Sequence, residues 1–107
     1  MKIAFLSDVH ANIDAFKAVL EEIDKDGIDQ IYIAGDLVGY YYHPDEVIDI
    51  CMSRNDINCI RGNHDQNFLN AINDEKLMSN LINKYGYAYA LTKNKLNNKQ
   101  VTWLKNL

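Results

Sequence analysis

The sequence predicts an α/β domain that opens as a βαβαβ unit with parallel strands. Two observations predict it. Short apolar runs recur at Ile3–Leu6, Ile31–Ala34 and Ile57–Ile60, and each is followed at once by polar residues rather than by a hairpin turn. The stretches between them place apolar residues three and four apart, the period of a helix face. Strands alternating with helices pair in parallel through right-handed crossovers.

The first strand is expected over Lys2–Ser7. Its Ile3-Ala4-Phe5-Leu6 run is apolar without alternation, the pattern of a strand buried on both faces. Asn12 can then cap a helix. In that helix Ile13, Phe16, Val19, Leu20 and Ile23 form one stripe opposite Asp14, Lys17, Glu21 and Asp24. Gly27 ends it by taking the left-handed conformation. Ile31-Tyr32-Ile33-Ala34 is the second strand, followed directly by Gly35-Asp36. A second helix starts at His43-Pro44-Asp45-Glu46, where the proline needs no amide partner and two carboxylates meet the positive end of the helix dipole. Val47, Ile48 and Cys51 supply its apolar side. The third strand, Ile57-Asn58-Cys59-Ile60, leads into Arg61-Gly62-Asn63-His64-Asp65.

Beyond Asp65 the chain reads as helical and polar, with Leu69, Ile72, Leu77, Leu81 and Ile82 set among Asn and Lys, then Tyr85, Tyr89 and Thr92. A last amphipathic piece runs from Asn97 or Asn98 through Val101, Trp103 and Leu104 to Leu107. No linker, repeat or low-complexity tract interrupts the 107 residues, so one domain over 1–107 is expected.

Composition narrows the function classes. At 48% hydrophobic and 24% charged, with one proline and five glycines, the chain is an ordinary globular sequence. No apolar run approaches the roughly 18 residues that would span a bilayer, so no membrane partner is expected. Eleven basic against fifteen acidic residues leave a net charge of −4. Lys and Arg are scattered, so bulk nucleic acid is disfavoured as a partner. Cys51 and Cys59 lie outside any C-x-x-C or zinc-finger spacing and read as reduced thiols. The apolar start before Ser7-Asp8 is too short for a signal-peptide core. Both features fit the cytoplasm.

The chemistry is concentrated where the three strands end. Asp8-Val9-His10, Gly35-Asp36-Leu37-Val38-Gly39 and Gly62-Asn63-His64-Asp65 each follow a strand, and open α/β sheets bind ligands at that edge. Asp8 and His10, two residues apart in extended chain, point to one side and can grip one ion. Asp36 has two oxygens and can bridge two ions. Asn63 offers a neutral carbonyl oxygen that adds no further negative charge. Mixed Asp, His and Asn ligands suit manganese, iron, cobalt, nickel or zinc better than calcium or a thiolate-bound structural zinc.

In this order and spacing, Asp8-x-His10, Gly35-Asp36-x-x-Gly39 and Gly62-Asn63-His64-Asp65 resemble the calcineurin-like metallophosphoesterases. Gly35-Asp36-Leu37-Val38-Gly39-Tyr40 followed by Pro44-Asp45-Glu46-Val47-Ile48 is similar to the small bacterial and archaeal phosphodiesterase branch. The resemblance implies that Asp8 and His10 ligate one metal, that Asp36 bridges two, and that Asn63 ligates the second. It implies that His64 faces the phosphate as charge stabiliser or acid, with Asp65 orienting its imidazole. The implied reaction is phosphodiester hydrolysis by a hydroxide activated between two divalent ions, manganese foremost. The implied substrate is a small phosphoester. A histidine suits the acid's part because its ordinary pKa, about 6.5, lies near working pH.

The resemblance takes in the whole chain but only the family's first half. A later-strand histidine and a Gly-His-x-His motif, which complete both metal shells on the second sheet of the family's β-sandwich, have no counterpart here. The expectation is therefore a truncated phosphoesterase domain lacking its second sheet. It would hold one ion modestly and a second poorly, and be weak or inactive alone. A complementing C-terminal half or a homo-oligomer is the partner such a chain could take. The alternative is a non-catalytic remnant or subunit that keeps a partial metal site and binds a partner polypeptide. In either case apolar surface at Trp103, Leu104 and Leu107 would lose its cover. Three features stay open between roles. Tyr40-Tyr41-Tyr42 could stack on a substrate group or pack a loop, Arg61 could reach a substrate phosphate or pair with a neighbouring acid, and His43 could be a helix neighbour or a ligand.

Overall fold

The computed structural model describes residues 1–107. Three strands and six helices follow in the order β1 (Ile3–Leu6), α1 (Ile13–Lys25), β2 (Gln30–Ile33), α2 (Pro44–Ser53), β3 (Ile57–Cys59), α3 (Asn63–Ala71), α4 (Glu75–Tyr85), α5 (Ala88–Lys95) and α6 (Asn98–Lys105). The strands form one parallel sheet in the order β1-β2-β3, with Phe5 opposite Tyr32 and Tyr32 opposite Asn58. The predicted α/β class and strand–helix alternation are what the chain adopts.

The caps act as their residue types dictate. Asn12 Oδ1 accepts the Ala15 N–H at 3.2 Å and starts α1, while Gly27 takes φ +66° just beyond its end. Asn97 and Gln100 cap α6 reciprocally. Gln100 then donates from Nε2 to the Asp45 carbonyl and the Asp49 carboxylate, which pins α6 against α2. The polar stretch after Asp65, expected as helix, is broken into four short helices by Asp74, Gly86 and Asn97 at their junctions.

One expectation fails. The strands are not buried on both faces. A strand order without reversal sends both right-handed crossovers to the same side, so α1 and α2 cover one face only. Ile31 and Ile33 are buried on that side, in a core with Phe16 and Leu20 of α1, Val47 and Ile48 of α2, Phe68 of α3 and Leu104 of α6. On the other side Phe5 is 77% exposed, Ile60 61%, and Ile3 and Tyr32 nearly half. The uncovered apolar surface therefore lies on the sheet. At the chain's end Leu104 is fully buried, and Trp103 and Leu107 pack half-buried against the core.

Arg54 ties the amino edge together by donating to Asp24 at 2.8 Å and to Asp56 at 2.9 Å. Cys51 and Cys59 are free thiols. No helix is long and apolar enough to cross a membrane.

Candidate metal centre

All five non-glycine residues with positive φ lie in the loops that leave β1 and β2: Asp8 (58°), His10 (47°), Ala11 (57°), Asp36 (54°) and Tyr40 (67°). Left-handed backbone costs a residue with a Cβ about 1–3 kcal/mol, and such strain persists only where the surroundings impose it. Here the surroundings are main-chain bonds that continue the β1–β2 pairing past the strands. The His10 N–H donates to the Asp36 carbonyl at 2.8 Å and the Ala11 N–H to Leu37 at 2.7 Å. Gly35 and Gly62 bring the third loop in. A Cβ on either would overlap main-chain atoms at the other's loop, so only glycine lets the ends of β2 and β3 approach so closely. Asp36 Oδ1 then accepts the His64 N–H at 2.9 Å, at the start of α3.

This folding brings Asp8, His10 and Asp36 together. One potential ligand atom from each lies within 4.8 Å of the others. His10 Nδ1 is 2.9 Å from the Val38 carbonyl oxygen, which can only accept, so the proton sits on Nδ1 and Nε2 carries the lone pair. That Nε2 is the atom facing Asp8, 3.9 Å from its Oδ1. Two carboxylates and an imidazole lone pair within reach of one point form a donor set that fits a divalent transition ion. Asn63 is exposed at the first position of α3, beside the glycine that packs on Asp36.

Asp65 makes other contacts than the resemblance implies. Asp65 is fully buried, and its oxygens accept main-chain N–H groups of Leu37 (2.9 Å), Val38 (3.1 Å) and Gly62 (2.9 Å). Burial pushes its carboxyl up, and the three donors pull it down without cancelling that effect. Those bonds are satisfied by the backbone because α3 points the Asp65 carboxylate back under the β2 loop. Asp65 thus splices two of the site's loops and does not orient the His64 ring. Tyr89 of α5 takes that place, with its Oη 2.6 Å from His64 Nδ1. Burial lowers the His64 pKa below the ordinary histidine value, against the pull of the Asp36 charge.

Around His64 stands a cluster of rings. Tyr40 and Tyr85 lie 4.9 and 4.8 Å from it between centroids, and His10 5.1 Å. Of the tyrosine run, Tyr40 packs on both histidines, and Tyr42 offers its carbonyl to Lys95 at 2.9 Å. Tyr41 lines a cavity of about 220 Å³ with Asp8, His10, Val9 and Phe16. Arg61 binds the Lys105 carbonyl at 2.8 Å at the end of α6, and His43 pairs with Glu46 at 3.0 Å. Tyr85 and Tyr89 were read from the sequence only as continuing helix. Gly86 between them sets a new helix direction, and nothing in the local pattern announces that both rings turn to His64.

Comparison with known proteins accords with this geometry. The family model for calcineurin-like phosphoesterases matches residues 1–106. An uncharacterised protein of Methanocaldococcus jannaschii is 37% identical over 108 residues, covering 98% of this chain and 41% of that protein. The crystal structure of a metallophosphoesterase from Sphaerobacter thermophilus superposes on the whole chain with a TM-score of 0.77 at 30% identity, again over 41% of its own length. The chain therefore spans about two fifths of the length of each of these relatives.

Proposed function

The chain belongs to the calcineurin-like phosphoesterases, and from that membership we propose that it is the metal-holding half of a phosphodiesterase acting on small phosphoesters. The observation that carries this reading is the meeting of Asp8, His10 and Asp36 at the ends of two adjacent strands. In it Asp8, His10 and Asp36 would hold a first divalent ion, while Asp36 and Asn63 would offer ligands to a second. An ion bound there polarises phosphoryl oxygens and lowers the pKa of water. His64 offers a hydrogen bond or proton to the phosphoryl or leaving oxygen, in a setting whose burial favours its neutral form. Manganese is the first metal to try, with iron, cobalt, nickel and zinc compatible with the same donors.

Three ligands against two make the first ion the tighter one, so the isolated chain is expected to bind one ion modestly and a second poorly. Hydrolysis by the chain alone is expected to be slow. Calorimetric titration with manganese, paired with nitrophenol release from bis(p-nitrophenyl) phosphate, tests this. Asp36→Asn should abolish both the measurable ion binding and any metal-dependent rate. Two tight sites in wild type, or a rate untouched by Asp36→Asn, would overturn the reading.

The open sheet face favours a second reading, in which the chain serves by binding a polypeptide. Phe5, Tyr32 and Ile60 form apolar surface that a protein partner would bury, and the relatives carry more than half their length beyond the matched region. Co-expression with the remaining segment of the Methanocaldococcus relative should yield a stable complex with a raised hydrolysis rate. A complex without any rate would favour the non-catalytic subunit. The free thiols support a reducing compartment, the cytoplasm, for either form.

A further inference from the structure

The two histidines of the site have Nδ1 partners of opposite kind. The Val38 carbonyl beside His10 can only accept, which leaves the lone pair on Nε2. The Tyr89 hydroxyl beside His64 can donate. A phenol O–H is a good donor and its oxygen a poor acceptor, whereas the sp² nitrogen of a neutral imidazole is a strong acceptor. The proton of the 2.6 Å contact therefore belongs to Tyr89. His64 is left with its own proton on Nε2, the reverse of His10, although the two rings stand only 5.1 Å apart and nearly perpendicular.

Other groups near His64 do not compete for this task. Asp65 spends its oxygens on the backbone of Leu37, Val38 and Gly62. Tyr40 and Tyr85 touch the ring by packing alone. Gly39 leaves room beside the ring: a Cβ there would sit 3.2 Å from His64 Nδ1. Tyr89 itself is 1% exposed, so water does not exchange with its hydroxyl freely.

We propose that Tyr89 is a positioning residue for His64: its buried hydroxyl donates to Nδ1, fixes the ring and presents Nε2–H as the hydrogen-bond donor to a phosphoryl group. The assignment of a phosphoryl group rests on the phosphodiesterase reading, while the bond itself does not. Within one crevice, a carbonyl makes one histidine a ligand and a phenol makes its neighbour a donor.

Nitrogen-15 NMR of histidine-labelled chain, at about pH 8 where a neutral ring is expected, tests the bond without any catalysis. In wild type the expected result is an Nε2-protonated His64, with a slowly exchanging Tyr89 hydroxyl proton correlated to Nδ1. Tyr89→Phe keeps the buried ring, so its melting temperature should stay close to wild type. Its His64 Nδ1 resonance should move to that of an unbonded lone pair. Wild-type His64 protonated at Nδ1, or an Nδ1 signal unchanged in Tyr89→Phe, would overturn the proposal, and the first of these needs no variant. On the manganese-loaded chain with bis(p-nitrophenyl) phosphate, Tyr89→Phe should lower kcat about ten-fold with KM unchanged. A wild-type chain without metal-dependent turnover even when assembled with the complementing segment, yet with the expected NMR pattern, would remove the phosphodiesterase reading and leave the Tyr89–His64 pair standing.

Discussion

The carboxyl edge of the sheet and the face turned away from the helices are built on opposite principles. At the edge, backbone strain at Asp8, His10, Ala11, Asp36 and Tyr40 is held by main-chain bonds, a buried carboxylate and two glycines in contact. On the open face, Ile3, Phe5, Tyr32 and Ile60 meet solvent and little constrains them. The same three strands serve both regions. The edge is over-determined because each loop is fixed by the other two. The face is under-determined because a strand order without reversal has sent both crossover helices to the other side. Substitutions at the edge should therefore be costly in stability, and those on the face cheap.

The largest effect should come from Gly35→Ala, and Gly27→Ala supplies its control. Both glycines have positive φ, +93° and +66°, so both substitutions incur the left-handed cost of about 1 kcal/mol. Around Gly27 nothing lies within 4 Å, whereas a Cβ on Gly35 would overlap the Gly62 backbone. Gly35→Ala is expected to destabilise by more than about 3 kcal/mol in urea denaturation and to abolish manganese binding, because the β2 and β3 loops must part. Gly27→Ala should keep metal binding intact. Equal costs for the two would mean that the loops are free to move apart, and the contrast between edge and face would collapse.

Asp65→Asn should come next, at about 2 kcal/mol. Asparagine can still accept from Leu37 and Val38 through its one carbonyl oxygen. Its amide would then face the Gly62 N–H, donor against donor, where Asp65 Oδ2 now accepts. The loop it loosens carries the Val38 carbonyl that sets the His10 tautomer, so manganese affinity should fall along with the urea midpoint. A loss of affinity at unchanged stability would instead place Asp65 in the chemistry, the role that the family resemblance suggested.

Much of the edge was legible because strand, helix and ligand signals are local. Asp8, His10 and Asp36 each follow an apolar run directly, so naming the strands placed the residues. Asn12, Gly27 and Pro44 announced the helix boundaries by their own backbone chemistry. What was not legible depended on direction and distance. An apolar run such as Ile3–Leu6 carries no mark of which face a helix will cover, since that follows from strand order. Tyr89 reaches His64 from 25 residues away across three helices, and no spacing rule connects them. Asp65 was expected to orient its neighbour His64 only because the family resemblance implied it. On a helix, consecutive side chains diverge by about 100°, which sends the carboxylate under the β2 loop instead.

The smallest effect should be Phe5→Thr on the open face. Phe5 is 77% exposed, so the folded chain hides little of its ring from water. A β-branched replacement keeps the strand preference. What is lost is the stacking of Phe5 on Tyr32 across β1 and β2, with ring centroids 5.7 Å apart, worth about 0.5 kcal/mol. The urea midpoint should therefore barely move, and manganese binding should stay at wild-type strength, since no bond of the metal loops passes through Phe5. Association is where the substitution should register. Removing the most exposed ring of the patch should reduce self-association in sedimentation and weaken assembly with a complementing segment. A stability loss above about 2 kcal/mol would carry the opposite meaning: the face would be packed in solution against another copy of the chain, and Phe5 would belong to a core that a single copy leaves open.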